Sequence, residues 1–477
     1  MKIVVIGAGF CGLASALALA RSDHEVTVVE RDATLPPADP FTATQWERPG
    51  IPHFLQPHAF LARGVKELRQ NASDVYGSLL EAGAEELRLF EKMPDASLHP
   101  QDDELVFLGC RRPVIEWVLR NHVAAEARVS FRPALAALGL VWEDEGSAIP
   151  RAVGVMTSDG RIDADLVIDG MGRSSPLADW IVDGGGLAPE EESDDCGIVY
   201  YSRYFRFRPG HHRPEGPWLI GPRAELGYLE TGTFWGDNDT FALVQQIRAD
   251  DRALRVLRHP DRYMASLRAQ PPFEGLISEE VSEPMTPVLP MGRLRNTSRR
   301  FVSDGHPIAS GVVALGDARC HTNPRYAWGL SLALHQGFLL GDLLRHYGQD
   351  LDAVSLAFEE AVWPWTSAAF ETAIATDNER KRYWGGEPLD LTSPREAMQL
   401  FLLLFLPAAG MRDAAIFRAA VRRLMLLDDP RDVEGDQDLL DRGSAIVREM
   451  FGSTGPPPQG PSREELLQLL ASVPKTG

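Results

Sequence analysis

The glycine pattern near the amino terminus constrains the fold of this 477-residue chain more than any other feature. An apolar run at residues 3–6 leads into Gly7, Gly9 and Gly12; an alanine- and leucine-rich stretch follows, and a second apolar run ends at Glu30. A strand, a glycine turn, a helix and a strand that ends on an acid form the unit that binds the ADP half of a dinucleotide. The sequence therefore predicts a Rossmann-like domain that binds FAD or NAD(P).

Each position in this unit has a physical role. Gly7 permits the tight turn, Gly9 lets the backbone approach the pyrophosphate, and Gly12 allows the helix to pack closely on the sheet. Glu30 would accept hydrogen bonds from the ribose hydroxyls and would repel a 2′-phosphate, which favours FAD or NAD over NADP. The N–H groups at the helix start would face the phosphates. The predicted nucleotide contacts in this unit are Gly7, Gly9, Phe10, Cys11, Gly12, Glu30 and Arg31.

The composition is that of an ordinary globular protein. The chain is 44% hydrophobic and 24% charged, and its length suits two or three domains of ~100–200 residues each. A formal net charge of −20 argues against a nucleic-acid partner, because phosphate binding needs clustered positive charge. We therefore expect no nucleic-acid partner.

The cysteines and the apolar runs bear on the compartment. Four cysteines lie far apart without a metal-ligand spacing, so we expect reduced thiols, no metal site and a cytoplasmic protein. The first predicted strand starts at Lys2, which leaves no room for a signal peptide. The most apolar run, residues 398–406, is about half the length needed to span a bilayer. We expect a buried helix there, with a membrane-surface contact or a dimer face as the alternative.

A second glycine-containing segment lies far downstream. Residues 311–336 read GVVALGDARCHTNPRYAWGLSLALHQ, in which a buried strand runs into Gly316 and Asp317 and a new helix opens at Gly329. This segment resembles the flavin-contacting Gly-Asp motif of FAD-dependent monooxygenases of the para-hydroxybenzoate hydroxylase type. The likeness is to the branch with the pattern GDAxCxxNPxYGxGxSxA, found among epoxidases, halogenases and related natural-product enzymes.

The resemblance implies a set of flavin contacts. Asp317 would bind the ribityl chain of FAD, Pro324 would flank the isoalloxazine ring, and the helix that starts at Gly329 would direct its positive end at the N1–C2=O edge. The segment at residues 111–116 resembles an Arg-x-x-Leu-Glu motif that places one arginine near the flavin phosphates or ring. We prefer Arg112, with a salt bridge on a solvated helix start as the alternative. The implied contacts are Arg112, Gly172, Gly316, Asp317, Pro324, Gly329, Leu330 and Ser331.

The likeness extends over nearly the whole chain in weaker matches. Residues 46–58 resemble a Trp-x-Arg-x-Gly-Val-Pro-Gln segment of the same branch, residues 196–204 resemble a substrate-domain strand, and residues 377–383 resemble its C-terminal helical region. Residues 169–176 occupy the place of an Ala-Asp-Gly-x-x-Ser motif whose aspartate is linked to FAD and NAD(P)H contacts. Met171 stands at that aspartate's position here, so NAD(P)H and a separate flavin reductase are both open as electron sources.

These observations predict an α/β protein in which a glutathione-reductase-type FAD domain carries an inserted antiparallel sheet and a C-terminal helical region. Alternating apolar residues between about 185 and 290 indicate the inserted sheet, and two amphipathic helices are predicted near residues 57–70 and 73–84. The predicted division assigns residues 1–70, 101–180 and 291–348 to the FAD domain, 71–100 and 181–290 to the substrate domain, and 349–477 to the helical region.

Catalytic side chains are less sharply indicated, since the resemblance implies that oxygen transfer runs through a flavin C4a-hydroperoxide. His321 lies near the flavin loop. Where the branch has Gly-x-Gly, this chain has Ala327-Trp328-Gly329, and the indole of Trp328 would restrict access, stack on substrate or pack outward. The inserted sheet supplies further pocket candidates, and strand alternation forbids all of them from sharing one face. They are Tyr201, Arg203, Tyr204, Tyr228 and Trp235.

Three functions compete at this point. The first is a monooxygenase that hydroxylates or epoxidises a hydrophobic small molecule, such as a secondary-metabolite intermediate, with O₂. The second is a flavin-dependent halogenase, although the chain lacks the Trp-x-Trp-x-Ile-Pro motif expected of one. The third is a dehydrogenase, a reductase or a flavoprotein without turnover. An oligomer is compatible with all three.

Overall fold

The computed structural model describes residues 1–94, 98–143, 149–216, 218–387, 398, 401–451 and 459–474. The strands, numbered in chain order, are β1 (Lys2–Ile6), β2 (Glu25–Val29), β3 (Glu85–Arg88), β4 (Val106–Gly109), β5 (Val129–Arg132), β6 (Ala137–Trp142), β7 (Ala152–Thr157), β8 (Gly160–Asp163), β9 (Leu166–Asp169), β10 (Glu190–Asp195), β11 (Ile198–Phe207), β12 (Arg223–Glu225), β13 (Leu229–Trp235), β14 (Thr240–Arg248), β15 (Ser282–Pro284), β16 (Leu289–Met291), β17 (Arg295–Arg300), β18 (Val302–Ser303), β19 (His306–Pro307), β20 (Val312–Ala314) and β21 (Cys320–His321).

The α-helices follow the same convention. They are α1 (Phe10–Ala20), α2 (Ala62–Asn71), α3 (Ser73–Glu81), α4 (Arg112–Ala125), α5 (Leu177–Asp183), α6 (Pro260–Arg268), α7 (Glu274–Ile277), α8 (Trp328–Tyr347), α9 (Leu351–Tyr383), α10 (Leu406–Gly410), α11 (Ala414–Leu424), α12 (Pro430–Glu434), α13 (Gln437–Phe451) and α14 (Arg463–Ser472).

A parallel sheet forms the centre of the nucleotide-binding part. Its strand order is β20-β9-β1-β2-β5, and every neighbouring pair is parallel. Its three inner strands, β1, β2 and β9, are short apolar runs buried on both faces, as expected for a parallel sheet covered by helices. Helices α1, α4 and α8 pack beside one another in the largest core cluster. This architecture confirms the predicted Rossmann-like fold.

The turn between β1 and α1 is built on a direct backbone contact. Gly7 has φ +96°, a conformation that L side chains rarely adopt. A Cβ on Gly12 would lie only 1.9 Å from the carbonyl oxygen of Gly7. Glycine is therefore required at both positions, and α1 starts against the end of β1 as the motif predicts.

An antiparallel sheet forms the second layer, as the alternating pattern predicts. Its order is β12-β13-β14-β11-β15, with β16 also paired to β11. The turn at residues 236–239 joins β13 to β14 in a hairpin. Helices α6 and α7 lie within the same stretch of sequence, and the core between the sheet and these helices includes Tyr201, Phe205, Leu243, Tyr263 and Leu267.

Two predicted helices start or end at different residues from those expected. The first begins at Ala62 rather than near residue 57, because Pro57 and the preceding turns hold an irregular backbone and Phe60 bridges to β4. The second ends at Glu81. In both cases the helix exists where the periodicity predicts it, and only the boundary moves.

The carboxyl-terminal part is helical over the residues that the structure describes. Helix α9 runs for 33 residues and packs against α8 and β17. The apolar run at 398–406 contributes a π-helical turn, Phe401–Phe405, and the start of α10, while residues 399–400 lie outside the described residues. Leu402 and Leu406 are buried against α11 and α13. Among the described residues, no helix combines the length and apolar character needed to cross a bilayer.

The contact between Gly7 and Gly12 is testable by substitution. In Gly12→Ala the new methyl group meets a backbone carbonyl that cannot move without disrupting β1, so we expect a loss of about 3–5 kcal/mol in the free energy of unfolding. The matched control is Gly77→Ala in α3, where a Cβ would meet nothing within 4 Å. That variant should gain about 0.5–1 kcal/mol through better helix propensity. Urea denaturation of both proteins without added flavin measures the difference, and equal stabilities would contradict the assignment.

Candidate functional site

A cavity of about 500 Å³ connects the two glycine motifs. It runs from the β1–α1 turn and the end of β2, past the loop at residues 50–58 and the start of α4, to the loop that precedes α8. This size is ordinary for a small-molecule or cofactor site. The predicted contacts that line it are Gly7, Gly9, Phe10, Cys11, Glu30, Arg31, Arg112, Gly172, Gly316, Asp317, Pro324, Gly329 and Leu330, together with His321 and Trp328.

Glu30 closes one end of the cavity and is held rigidly. Its Oε2 accepts hydrogen bonds from the backbone N–H of Ala8 at 2.9 Å and from Arg48 Nη2 at 3.1 Å. Its Oε1 accepts from the N–H of Asp32 at 2.9 Å. Arg48 is buried and also donates to the Ala8 carbonyl at 2.8 Å. The carboxylate is thus fixed in place at the position expected for a ribose contact.

The starts of two helices meet at this cavity without side-chain caps. Helix α1 begins after Gly9 and α8 after Ala327, and neither cap residue's side chain hydrogen-bonds the helix, nor does either first turn contain an acid. Uncapped helix starts leave N–H donors and a positive dipole end for an anionic or carbonyl ligand. Gly9 lines the cavity, and a Cβ at this position would lie 3.4 Å from Ile51 Cδ1. These features fit FAD.

The loop after β9 forms one wall of the cavity. Asp169 is fully buried and accepts hydrogen bonds from the N–H of Met171 at 2.9 Å and from Ser175 Oγ at 2.5 Å. Burial raises the pKa of this carboxyl to about 6, against the opposing effect of these donors. Met171 and Gly172 follow it on the cavity surface. The aspartate of this chain therefore anchors the loop from inside.

Asp317 lies among several basic groups at the far end. Its Oδ2 is 3.2 Å from His321 Nδ1, and His53 and Arg112 line the same cavity. Burial opposes ionisation of Asp317, but the interactions with His321, including a hydrogen bond, and with His53 and Arg112 outweigh it and hold the pKa of Asp317 well below its usual range. Asp317 is therefore an anionic hydrogen-bond acceptor, as a ribityl contact requires.

The two arginines at the start of α4, Arg111 and Arg112, have different roles. Arg111 is buried in a bidentate ion pair with Asp237, with Nη2 to Oδ2 at 2.6 Å, which ties α4 to the β13–β14 hairpin. Arg112 lines the cavity, and its Nε donates to Glu116 at 2.6 Å. The salt bridge that was the alternative to a cofactor contact is present, but it is buried rather than solvated, and Arg112 faces the cavity as well.

A buried polar network holds the loop that carries Pro324. Asp377 on α9 accepts hydrogen bonds from Asn323 Nδ2 at 2.6 Å and from Asn296 Nδ2 at 3.0 Å. Asn296 Oδ1 in turn accepts from the backbone N–H of Asn323 at 2.7 Å. Tyr200 on β11 donates to Asn323 Oδ1. The loop is thereby fixed to α9, β17 and the antiparallel sheet at once.

Ala327 and Trp328 connect this loop to α8. Ala327 has φ +56°, a left-handed conformation that favours glycine, and it stands where the resembling branch has glycine. Trp328 is 6% exposed, lines the cavity and stacks on Tyr326 with ring centroids 4.7 Å apart. The indole therefore does not pack outward. Of the three expected roles, restriction of access and stacking on substrate remain predictions.

The pocket candidates from the inserted sheet do not line the cavity. Tyr201 is buried in the core cluster of the second layer, which also contains Tyr263 and Leu267 of α6. Arg203 donates from Nε to the Thr286 carbonyl at 2.8 Å. Tyr204, Tyr228 and Trp235 are likewise buried away from the cavity. The expectation for these five residues is corrected, because sheet packing uses their side chains.

Two predicted flavin contacts also act elsewhere. Gly12 is not on the cavity surface, and its role is the close packing against Gly7. Ser331 is fully buried and faces α2, where a Cβ on Gly64 would lie 3.0 Å from its Oγ. A side-chain contact from Ser331 to the flavin is therefore corrected as well.

Several residues that shape the site were not predicted from sequence. Ile51, His53, Gln56 and His58 line the cavity, and Arg48 fixes Glu30. The available signal was the match of residues 46–58 to a segment of the resembling branch, in which His53 takes the place of the glutamine. Nothing in the sequence indicates that this segment would reach the cavity. Among the described residues, no group of three or more His, Cys, Asp or Glu side chains could hold a metal ion.

The raised pKa of Asp169 predicts a pH dependence of stability. Because its folded-state pKa lies near 6 and its ordinary value is 3.8, its contribution is fully present below about pH 4 and is lost as the pH rises to about 6. Asp169→Asn should flatten this part of the pH profile by up to about 3 kcal/mol relative to the natural protein. Chemical denaturation between pH 4 and 7 measures it. Asp183→Asn, at an exposed position, is the control, and an unchanged slope in Asp169→Asn would refute the account.

The network around Asp377 predicts a second effect. In Asp377→Asn only one oxygen remains for two amide donors, so one buried N–H group loses its partner. We expect a loss of about 1–3 kcal/mol in unfolding free energy and weaker FAD binding. Glu360→Gln, an exposed substitution on the same helix, should change neither by more than about 0.5 kcal/mol. Denaturation and flavin fluorescence titration test both variants, and normal FAD affinity in Asp377→Asn would show that the loop does not need this anchor.

The comparisons with known proteins agree with this geometry. Residues 2–173 match the family described as FAD dependent oxidoreductase. The chain is 28% identical over 377 residues to Protein Rv3254 of Mycobacterium tuberculosis (strain ATCC 25618 / H37Rv). This match covers 70% of this chain and 71% of that protein. The fold resembles PqsL, a probable FAD-dependent monooxygenase from Pseudomonas aeruginosa, with a TM-score of 0.58 and 14% identity over 81% of this chain and 98% of the other.

A second solved structure matches a larger share of the chain. The flavin-dependent brominase Bmp2 has a TM-score of 0.58 and 14% identity, over 93% of this chain and 100% of that one. The family match contains four of the five strands of the parallel sheet, β1, β2, β5 and β9. Residues 2–173 thus match the FAD dependent oxidoreductase model, and the fold of the chain is similar to the folds of PqsL and Bmp2.

Proposed function

We propose that this protein is an FAD-dependent monooxygenase that inserts one oxygen atom from O₂ into a hydrophobic small molecule, by hydroxylation or epoxidation. One observation carries the proposal: a single cavity joins the dinucleotide turn and Glu30 to Asp317 and the loop before α8. The ends of this cavity supply the two kinds of contact that FAD needs, one for its ADP half and one for its flavin half.

The residues at each end have distinct roles in this proposal. Glu30 accepts the ribose hydroxyls, and the start of α1 binds the pyrophosphate through its N–H groups. Asp317 accepts from the ribityl hydroxyls. The start of α8 directs N–H groups and its dipole at the flavin edge where negative charge develops on reduction. Bound FAD supplies the redox chemistry that activates O₂.

The walls around the flavin end favour an apolar substrate. Met291, Leu294, Leu332 and Trp328 line the cavity there. Apolar side chains exclude water from the reacting groups, which protects oxygen chemistry from hydrolytic side reactions. On the same stretch, Asp317 Oδ2 lies 3.2 Å from His321 Nδ1. These features support a hydrophobic substrate that is bound mainly by packing.

The source of electrons, the substrate, the oligomeric state, the cytoplasmic location and the domain division stay predictions. Met171 occupies the position at which many hydroxylases of the resembling family have an aspartate linked to NAD(P)H. Its side chain lies on the cavity surface and carries no charge with which to orient a nicotinamide nucleotide. This supports reduction by a separate flavin reductase over direct use of NAD(P)H.

The proposal is tested by following oxygen from ¹⁸O₂ in the FAD-loaded protein, reduced chemically and then mixed with a panel of hydrophobic aromatic and alkene compounds. We expect one ¹⁸O atom per product molecule by mass spectrometry, and slow flavin reduction by NADH and NADPH in absorbance traces. The Gly12→Ala variant, which cannot form the turn, is the control and should show neither flavin nor product.

Other results would decide against the proposal. Failure of the purified protein to bind FAD would remove its basis. Bound flavin that is reduced and reoxidised without oxygen transfer would favour a dehydrogenase or reductase, and bound flavin without turnover would favour a carrier role. A product that is halogenated only when chloride or bromide is present would favour the halogenase.

A further inference from the structure

Four charged side chains and one imidazole form a continuous series beside the cavity, and Glu30, Arg112 and His58 of this series line it. Arg48 binds Glu30 through Nη2 at 3.1 Å and Glu116 through Nη1 at 3.3 Å. Glu116 then accepts from Arg112 Nε at 2.6 Å, and Arg112 Nη1 lies 3.1 Å from His58 Nε2. We call these five residues the wall ladder. It links the ribose end of the cavity to its flavin end.

The ladder ends on an imidazole whose protonation follows from its partners. A guanidinium can only donate hydrogen bonds, so His58 Nε2 must accept from Arg112. His58 Nδ1 lies 2.8 Å from the carbonyl oxygen of Gln56, which can only accept, so Nδ1 carries the proton. His58 is therefore the neutral Nδ1–H tautomer. Burial and the charge of Arg112 lower its pKa to about 3, which keeps it neutral at any physiological pH.

These contacts fix two of the three guanidinium nitrogens of Arg112. Nε is held by Glu116 and Nη1 by His58. Nη2 has no hydrogen-bond partner among the described residues, and it is not enclosed by protein, since Arg112 lines the cavity. Because a guanidinium is planar, fixing two nitrogens also fixes the direction of the third. The remaining donor is therefore aimed at the cavity.

We propose that His58 is a positioning residue that accepts a hydrogen bond from Arg112 and holds it so that Nη2 binds an anionic oxygen of FAD. This inference rests on the proposed function only in that FAD is the ligand. The oxygen belongs either to the pyrophosphate or to the N1–C2=O edge of the reduced flavin, and in both cases its chemistry is the same. A charged imidazolium at this position would repel Arg112, whereas the neutral tautomer orients the arginine without weakening its charge.

The test is a double-mutant cycle on the apoprotein, with dissociation constants for FAD measured by quenching of flavin fluorescence. His58→Ala should weaken FAD binding by about 10-fold or more, the range for losing a hydrogen bond to a charged group. In the Arg112→Ala background the same substitution should have no further effect, because His58 acts only through that arginine. His58→Gln, whose amide can accept from Arg112, should recover most of the affinity.

A control and a second probe complete the experiment. His122 also lies on α4, but its side chain hydrogen-bonds Ser78 and does not line the cavity. His122→Ala should therefore leave FAD affinity unchanged. ADP serves as a probe that contains the pyrophosphate but no flavin. A parallel loss of ADP binding in His58→Ala would assign the oxygen to the pyrophosphate, and a loss for FAD alone, greater for the reduced form, would assign it to the flavin edge.

The outcomes separate the two proposals. If the natural protein does not bind FAD, the proposed function fails and this inference fails with it. If the natural protein binds FAD, and the His58→Ala and His58→Gln variants bind FAD as tightly as the natural protein does, only the positioning role is overturned. If His58→Ala lowers FAD affinity equally in the natural background and in the Arg112→Ala background, the positioning role is also overturned. Such a result would indicate general destabilisation of the protein. Thermal melting of each apoprotein identifies any variant that fails to fold, and His58→Gln, which keeps most of the side-chain volume, then carries the test.

Discussion

The buried carboxylate of Asp377 is the interaction on which the flavin end of the cavity depends. Removing a carboxylate from water is costly unless hydrogen bonds replace its solvent. Here the amides of Asn323 and Asn296 supply them, and Arg380 lies 3.6 Å away. Burial still raises the pKa of Asp377, so the donors only partly compensate it. The carboxylate is satisfied only when α9, β17 and the loop before α8 come together.

This constraint explains why the loop can hold an unfavourable backbone. Ala327 adopts a left-handed conformation that costs an L residue about 1–2 kcal/mol. The strain persists because Asn323 is fixed on one side and α8 is packed into the main core on the other. This backbone conformation places the uncapped start of α8 at the cavity. Another wall of the cavity is held by the wall ladder, in which the charges of Glu30, Arg48, Glu116 and Arg112 alternate in sign.

The sequence predicts the parts of this molecule that are set by local rules. The Gly7–Gly12 turn, Glu30 and the Gly-Asp segment follow from steric limits on a few consecutive residues, and the structure places them together. Alternation identifies β11 correctly, but it cannot tell which face is covered by helices, so Tyr201 and Arg203 were assigned to the pocket although one packs in the core of the second layer and the other binds Thr286.

Long-range polar pairings lie beyond such rules. Arg48 with Glu30, His58 with Arg112 and Asp377 with Asn323 join residues that are 18, 54 and 54 positions apart. Each pairing depends on how whole elements dock, and no spacing in the sequence encodes it. The boundary of α2 was missed for a related reason, since the irregular segment before it is shaped by the bridge between Phe60 and β4.

The central parallel sheet has a consequence for how the protein is made. Its strands come from both ends of a long stretch of chain, because β1 pairs with β9 and β9 with β20. Such non-local strand pairing folds slowly, because the entropy of closing the long loops is lost before the contacts between strands can form and offset it. During synthesis the glycine turn emerges before α9, and its cavity is completed only after α9 has left the ribosome. A ligand that spans both ends would then fasten the earliest and latest segments together, and would stabilise the finished fold in proportion to its affinity and concentration.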